Sequence, residues 1–424
     1  MAPSGPPAAG ELAALRRRTT AVLVVGQILG GLGVATGLAL ATVLAHQVSG
    51  SEAMSGLAPT ATVAGTALLS VPLAALMAAR GRRPGLVLGY AVGAVGAAVV
   101  VVAAAIGSFW LLLAGMAGFG AGSSANLQAR FAAADLAEPE RRGRAISTVV
   151  WATTVGAVVG PNISAPAGRS VSGLGIPPTA GPFLWAAGVF LLSAALVAVL
   201  LRPDPLLTAR ALATGGGEDL EPAGRSLRSG VRAVRKSPRA RLALVTVTLS
   251  HTAMVSIMSM APVALSHHGA DIELIGLVIS GHIAGMYALS PVMGWLSDRL
   301  GRLSVIGLAV ALLACAALLA GTAGTSHARS AAGLVLLGLG WSAGLVSGSA
   351  LLTDAVPQAA RAAVQGLSDL TMNTAAGIGG VAAGLIVARA GYGWLNLAAA
   401  VLLLPLAALA VRRSLRGGGP VGRS

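Results

Sequence analysis

The stretch Gly294-Trp-Leu-Ser-Asp-Arg-Leu-Gly-Arg-Leu303 places an acid and two arginines around a glycine in a chain with few other charges. Only 10% of the 424 residues are charged, 55% are hydrophobic and the mean hydropathy is +0.81. A water-soluble domain carries about 25% charged residues. The chain is therefore expected to lie in lipid, and this stretch is expected to be a polar connection between two membrane spans.

Hydrophobic runs recur on both sides of this stretch, each about 20 residues long and thus able to cross a hydrocarbon core of about 30 Å. The predicted spans are 20–45, 57–79, 85–106, 109–132, 145–167, 182–201, 241–265, 273–296, 303–323, 331–353, 363–387 and 392–411. The 58 glycines and the scarcity of aromatic residues suit closely packed membrane helices. The sequence therefore predicts an all-α integral membrane protein with twelve transmembrane helices.

The two halves of the chain repeat one pattern. Gly81-Arg82 follows the second span as Gly301-Arg302 follows the eighth, at an offset of 220 residues. After the fourth and tenth spans, Asp135 and Arg142 match Asp354 and Arg361 at an offset of 219 residues. Two independent anchors thus agree within one residue, which predicts a duplicated six-helix unit, as in many transporter folds.

A long polar segment separates the two halves. The predicted organisation is a disordered N-terminus 1–19, a six-helix bundle 20–201, a basic linker 202–240, a second six-helix bundle 241–412 and a tail 413–424. Within the linker, leucine and valine alternate with basic residues. This pattern predicts an amphipathic helix on the membrane surface.

Charge placement predicts the orientation of the chain. Of the 29 Lys and Arg residues, twenty-five fall in alternate loops or at the two ends. Because Lys and Arg are retained in the cytoplasm, we expect an inner-membrane protein with both termini and the linker cytoplasmic. The partner of this basic surface is then anionic membrane lipid rather than nucleic acid. Cys315 is the only cysteine in the sequence, so no disulfide can form within the chain, and its apolar surroundings predict a free, buried thiol.

The stretch 294–303 resembles the cytoplasmic loop signature of the major facilitator superfamily, G-x-L-A-D-R-x-G-R-[KR]. The matching positions are Gly294, Asp298, Arg299, Gly301 and Arg302. Leu303 stands where a basic residue is usual. The resemblance implies two pseudo-symmetric six-helix bundles, the major facilitator fold.

The same resemblance implies a conformational latch. Asp298 would meet the positively polarised N-terminus of the fifth span, near Arg144. The alternative is a solvated turn whose arginines only keep it on the inner face. In the first-half copy, Ala78 and Ala79 stand at the positions of Asp298 and Arg299. Any latch would therefore be one-sided.

The fifth span carries a second motif. Gly156, Gly160 and Pro161 resemble the G-x-x-x-G-P signature of drug and proton antiporters in the superfamily. Glycines four residues apart give a smooth helix face, and the proline bends the helix because it lacks an amide hydrogen. The signature departs from the pattern at Ser164 and Ala165, where glycine is usual. The match favours export over import.

Ionisable and amide side chains within the spans are candidates for ion coupling or substrate binding. Asp369 lies about 12 Å into the eleventh span, and its duplicate position is Val150. A lone acid in one half is what a coupling or cation-binding group would look like. The alternative is a carboxylate paired with a neighbouring helix or facing water. Asn373 lies one turn further on the same face.

Arg130 is the second charged candidate, with Asn126 one turn away. One interpretation is an arginine that reaches the interface or pairs with an acid. The more specific interpretation is that Arg130 and Asp369 exchange partners during transport. The resemblance implies that Gln27 and Trp151 line a central cavity, and the alternative for Trp151 is contact with lipid. His282 lies about nine residues into the eighth span and is a candidate for titration, with packing and hydrogen bonding as its alternative role.

The sequence contains no nucleotide-binding motif, no set of metal ligands and no cluster of catalytic groups, so we expect no cofactor, no metal and no enzymatic activity. We expect a monomeric secondary active transporter that exports small amphipathic or drug-like molecules in exchange for protons. The alternatives are an importer or facilitator of a polar metabolite and a non-transporting membrane scaffold.

Overall fold

A computed structural model describes residues 9–38, 40–51, 54, 56–171, 173, 175–215, 226–270 and 272–406. Within these ranges the chain is helical throughout and forms no strand. The first nine helices are α1 (Ala9–Leu38), α2 (Ala41–Ser49), α3 (Leu57–Arg80), α4 (Arg82–Ile106), α5 (Phe109–Asp135), α6 (Arg142–Ser170), α7 (Gly181–Leu200), α8 (Pro205–Gly215) and α9 (Leu227–Lys236). The others are α10 (Pro238–His267), α11 (Ile272–Ile283), α12 (Ser290–Leu300), α13 (Arg302–Gly321), α14 (His327–Asp354), α15 (Arg361–Ala390) and α16 (Tyr392–Leu402).

Within the described residues, each of the twelve predicted spans falls on a helix or a run of helices, and the last span, 392–411, is described only to Leu406. In the described residues, nine helices are long and apolar enough to cross a membrane, and α6 makes a tenth if its two bent parts count as one span. The other two predicted spans fall on α5, whose C-terminal half carries polar side chains, and on the shorter apolar helix Tyr392–Leu406. The all-α membrane architecture is thus confirmed.

Single glycines join consecutive helices at equivalent points of the two halves. Gly81 connects α3 to α4 with φ +94° and ψ 173°, and Gly301 connects α12 to α13 with φ +89° and ψ 152°. This backbone region is open almost only to glycine, because a Cβ atom would clash there. The two matched glycines therefore serve the same one-residue turn.

We expect Gly301→Ala to destabilise the protein by about 1–3 kcal/mol, the cost of forcing a side chain into this backbone region. Gly307→Ala, in α13, is the control because a Cβ atom there meets no heavy atom within 4 Å. The measurement is the thermal unfolding midpoint of each purified variant in detergent. Equal midpoints for the two variants would contradict the strain argument.

By its internal contacts the chain divides into two compact units. Unit 1 comprises Met1–Lys236 and Val356–Thr374, and unit 2 comprises Ser237–Ala355 and Ala375–Ser424. The first fourteen residues of α15 thus belong to unit 1. The division into bundles 20–201 and 241–412 stays a prediction from the sequence.

Unit 1 is packed through glycines that let helix backbones touch. A Cβ atom on Gly65 of α3 would lie 2.0 Å from the carbonyl oxygen of Ala117 in α5. The rings of Phe190 and Phe183 pack on that of Phe119, with centroids 5.3 Å and 5.7 Å away, and the three rings lie against glycines of α1. Small residues thus bring helices together, and a few large rings close the remaining gaps.

Unit 2 is built around α14. This helix is buried on all sides from Gly340 to Thr353. Its glycines contact α10 at two places, Gly344 against Ser250 and Gly348 against Val247. A helix surrounded in this way has no lipid-facing side, so its polar side chains face other helices.

Three expectations from the sequence need correction. Residues 9–19 are helical rather than disordered, because strong helix formers continue into α1 and Arg16 pairs with Glu138 at 2.5 Å. Cys315 is exposed rather than buried, because it lies on an outward face of α13. The basic linker 202–240 is largely helical, since it forms α8 and α9 and enters α10. Its middle, 216–225, lies outside the described residues, and so do the predicted terminal segments 1–8 and 407–424.

Candidate functional site

A buried ion pair joins two of the candidate residues within unit 1. A guanidinium nitrogen of Arg130 lies 2.6 Å from Oδ1 of Asp369, and both side chains are almost fully buried. Arg130 also donates to the carbonyl oxygen of Leu127 at 2.9 Å. The other carboxylate oxygen, Oδ2 of Asp369, is buried and accepts no hydrogen bond. A buried carboxylate with one unsatisfied oxygen is costly in an apolar medium.

The two candidate asparagines lie next to this pair but do not contact the carboxylate. The Tyr90 hydroxyl donates to Oδ1 of Asn126 at 2.8 Å. The Asn373 amide donates to the backbone oxygen of Asp369, one turn earlier in α15, also at 2.8 Å. Both asparagines are buried. They support the helices that carry the ion pair.

A second buried cluster holds Arg82, Asp135 and Gln365. Arg82 donates to both carboxylate oxygens of Asp135, at 2.7 Å and 3.2 Å, and neither side chain is exposed. The same guanidinium also donates to Oε1 of Gln365. Two donors on two carboxylate oxygens form the bidentate geometry that an arginine favours. The first half thus has an acidic partner for its loop arginine although Ala78 replaces the acid in the loop.

The equivalent cluster in unit 2 is more open. Arg302 donates to Asp298, four residues earlier, and lies 3.3 Å from Oδ2 of Asp354. Arg82 with Asp135 and Arg302 with Asp354 are the pairs that the duplication aligned. Arg299 stacks over the ring of Trp295 at 5.1 Å, and Gly294 is buried. Contact of Asp298 with the fifth span stays a prediction.

The glycines of the antiporter-like motif form a close helix contact. Gly156 of α6 would place a Cβ atom 2.5 Å from backbone atoms of Gly31 and Leu32 in α1. A Cβ atom on Gly160 would lie 2.5 Å from the Cβ atom of Ala35. The helix bends by 55° between Gly160 and Asn162, at Pro161. The expected smooth face and bend are both present, and the smooth face packs on α1.

The remaining candidates are spread over both units. Gln27 is buried and donates to Thr153 at 2.9 Å, which joins α1 to α6. Trp151 is 39% exposed. In unit 2, Nδ1 of His282 donates to the carbonyl oxygen of Leu334 at 2.8 Å, and its Nε2 is buried without a hydrogen bond. Among the described residues of unit 1, no hydrogen bond joins Gln27 or Trp151 to Asp369.

A cavity of about 740 Å³ lies in unit 2, at the ends of helices away from Asp298. Its lining is mostly small and apolar, with the adjacent His267 and His268 among it. In the described residues, no three His, Cys, Asp or Glu side chains are grouped so that they could hold a metal ion.

Sequence reasoning missed two features of the site. It did not identify Gln365 as a partner of Arg82, because the two residues are 283 positions apart. It also missed a set of aromatic contacts in unit 2. The indole N–H of Trp341 donates to Nδ1 of His251 at 2.8 Å, and the ring of Tyr287 lies 5.4 Å from that of Trp341.

Comparison with known proteins assigns this chain to a family. The family model of the Major Facilitator Superfamily matches residues 23–271 and 243–420. The chain is 37% identical to the MFS-type transporter YdeG of Bacillus subtilis strain 168 over 393 residues, 92% of this chain and 91% of the relative. It is 30% identical to the riboflavin transporter RfnT of Brucella anthropi over 396 residues, 93% and 94% of the two chains.

Solved structures agree at the level of the fold. A bacterial homologue of the iron transporter ferroportin has a TM-score of 0.73 at 16% identity, over 94% of this chain and 100% of the other. The human organic anion transporter MFSD10 has a TM-score of 0.71 at 17% identity, over 93% and 99%. With apolar helices, repeated arginine–aspartate pairs and a family match along nearly its whole length, this chain is a multi-pass membrane transporter that belongs to the major facilitator superfamily.

Proposed function

We propose that this transporter is proton-coupled and exports small amphipathic or drug-like molecules by alternating access. The observation that carries the proposal is the buried pair of Arg130 and Asp369, with one oxygen of Asp369 unsatisfied. An ionisable group within a membrane span is costly, and such groups mark ion and proton pathways in transporters. A carboxylate that trades its arginine for a proton can couple proton movement to a change of partner.

The direction of transport rests on the antiporter-like motif. The close contact of Gly156 and Gly160 with α1 and the bend at Pro161 provide a helix that can shift without side chains to obstruct it. Export of the substrate against proton entry is the use that the resemblance implies.

We further propose an inner-membrane location with both termini cytoplasmic. The basic loops support this orientation. Trp110, Trp185 and Trp394 are exposed near the starts of α5, α7 and α16. All three helix starts are on the side predicted to face outward; since tryptophan is enriched at both membrane interfaces, these residues support an interface there and not a direction of insertion. Anionic lipid is the proposed partner of the basic face, and the working unit is proposed to be a monomer.

A second candidate function is the carriage of a polar metabolite. It is favoured by the relative RfnT, which is named as a riboflavin transporter and matches nearly the whole chain. Riboflavin combines a planar heteroaromatic ring system, apolar at its dimethylbenzene end, with a polar side chain, so it also satisfies the description of a small amphipathic molecule.

The test uses purified protein in proteoliposomes under an imposed pH gradient. Lipophilic cations and neutral metabolites, including riboflavin, are added one at a time while internal pH and compound uptake are recorded. We expect one compound to drive proton movement in the wild type and Asp369→Asn to abolish it. Glu140→Gln is the matched control because Glu140 is an exposed acid in the same unit.

Two results would contradict the proposal. Compound transport without proton movement in the wild type would show a facilitator. Proton movement that persists in Asp369→Asn would assign the coupling to another group and leave Asp369 a structural role.

A further inference from the structure

The aromatic contacts of unit 2 bring together three residues from three separate helices. His251 lies in α10, Trp341 in α14, and Tyr287 in a five-residue π-helical turn, Ala284–Ala288, between α11 and α12. The His251 and Trp341 rings are 6.0 Å apart, and Tyr287 meets Trp341 edge to face at 80°. Edge-to-face packing at this distance is a favourable aromatic geometry.

All three residues lie at the middle of their spans. His251 lies about 20 Å from either end of α10 at 1.5 Å per residue, and Trp341 and Tyr287 are equally central in 327–354 and 274–300. Substrate sites of secondary transporters lie near the midplane of the bilayer. Placing the ring nitrogens of His251 and Trp341 at this depth costs free energy. Apolar side chains could fill the same space without that cost.

His251 and Tyr287 are less buried than the Trp341 side chain that they contact. Trp341 is only 4% exposed, whereas His251 and Tyr287 are half-buried. His251 shares its half-buried stripe of α10 with Met258, a flexible and polarisable side chain that adapts to ligands of varied shape. Because the indole N–H donates to Nδ1 of His251, the ring proton of the neutral histidine is on Nε2. The bond also fixes the plane of the imidazole.

The π-helical turn places Tyr287 in this cluster. A π turn inserts one residue into a helix and shifts the register of the side chains that follow, and such turns are frequent at functional sites. Just before it, α11 and α14 are in backbone contact, since a Cβ atom on Gly338 would lie 2.3 Å from the carbonyl oxygen of His282. The close contact continues into the turn, since a Cβ atom on Gly285 would lie 2.7 Å from the carbonyl oxygen of Val335, and Tyr287 follows two residues later.

We propose that His251, Tyr287 and Trp341 form a substrate-binding wall for planar heteroaromatic molecules, with Trp341 as the support that holds His251 in position. The flat faces of His251 and Tyr287 stack on the ring system. The wall rests on the proposed transport function and specifies its substrate class. It does not depend on proton coupling.

The test measures binding rather than transport. Full-length protein in nanodiscs is titrated with lumichrome and acridine orange as planar probes, and with ribitol and tetraphenylphosphonium as non-planar probes, by equilibrium dialysis. We expect at least one planar probe to bind and both non-planar probes to bind at least tenfold more weakly.

The variants separate stacking from folding. His251→Leu and Tyr287→Leu should each weaken binding of the planar probe about tenfold, as loss of one stacking partner does. Tyr287→Phe should keep the affinity because it keeps the ring. Trp341→Phe should weaken binding by a smaller factor, because it keeps a ring but frees the imidazole. Trp394→Leu, 62% exposed in the same unit, should leave it unchanged.

Failure of this proposal differs from failure of the transport proposal. Asp369→Asn should bind the planar probe as the wild type does, whatever its effect on protons. The wall is disproved if neither planar probe binds, or if His251→Leu and Tyr287→Leu, folded by size-exclusion chromatography, bind like the wild type.

Discussion

Arg82→Met is expected to lower the free energy of unfolding by about 3–5 kcal/mol, because it leaves a buried carboxylate without its partner. Arg82 and Asp135 are both unexposed, and the guanidinium bonds to both carboxylate oxygens and to Gln365. Removal of the arginine breaks these three hydrogen bonds and a longer one from the guanidinium to the Met77 sulfur, at 3.7 Å.

Two comparisons show whether the loss comes from the uncompensated charge. The double variant Arg82→Met/Asp135→Leu should regain most of the stability, since an apolar pair of similar volume often replaces a buried ion pair without loss. Arg16→Met should cost at most about 1 kcal/mol, because Arg16 and Glu138 are 33% and 42% exposed. The unfolding midpoint in detergent, converted to free energy, measures all three. A double variant no more stable than Arg82→Met would refute the argument.

Gly156→Leu is expected to prevent correct packing of α6 on α1. The first side-chain atom alone would lie 2.5 Å from the backbone of Gly31 and Leu32, and backbone atoms cannot rotate away as a side-chain end can. The helices would have to separate, which costs more than the 1–3 kcal/mol of ordinary overpacking. We expect most of the variant to be lost as aggregate during purification.

The yield of monodisperse protein in size-exclusion chromatography measures this effect. Gly156→Ala should show a smaller loss in the same direction. Gly188→Leu is the control, since Gly188 is an exposed helical glycine with no heavy atom within 4 Å of a Cβ atom. If Gly156→Leu gave the same yield as Gly188→Leu, the close contact between α6 and α1 would not contribute to the stability of the protein.

Composition predicted the all-α membrane architecture, and the resemblance of the loop motif implied the major facilitator fold. Hydrophobic runs of membrane length predicted the helices, because a lipid-exposed chain must satisfy its backbone hydrogen bonds within each segment. The offsets of 220 and 219 residues placed Arg82 and Arg302 in matching turns, and both arginines contact the acids that the second anchor aligned. Local patterns thus carried the architecture.

Contacts between segments that are distant in the sequence were harder to predict. Asp369 and Arg130 were both recognised as buried charges, since such groups are rare in a span, and they do form a pair. Gln365 and the His251–Trp341 bond gave no such signal, because an amide or an indole in a helix is unremarkable until its neighbour is known. Their partners are 283 and 90 residues away. The N-terminal helix was missed for a different reason, because its proline- and glycine-rich start obscured the helix formers after it.

The two arginine clusters also record how the repeat has diverged. In unit 2, Arg302 keeps an acid four residues before it, whereas in unit 1 that position is Ala78 and Arg82 is bound by Gln365 from the segment 356–374. Arg302 therefore binds an acid of its own loop, whereas Arg82 binds a residue encoded in the opposite half of the gene. The halves have ceased to be interchangeable: a chain made of two first halves would lack Gln365, and substitutions at 82 and 365 are expected to covary across relatives.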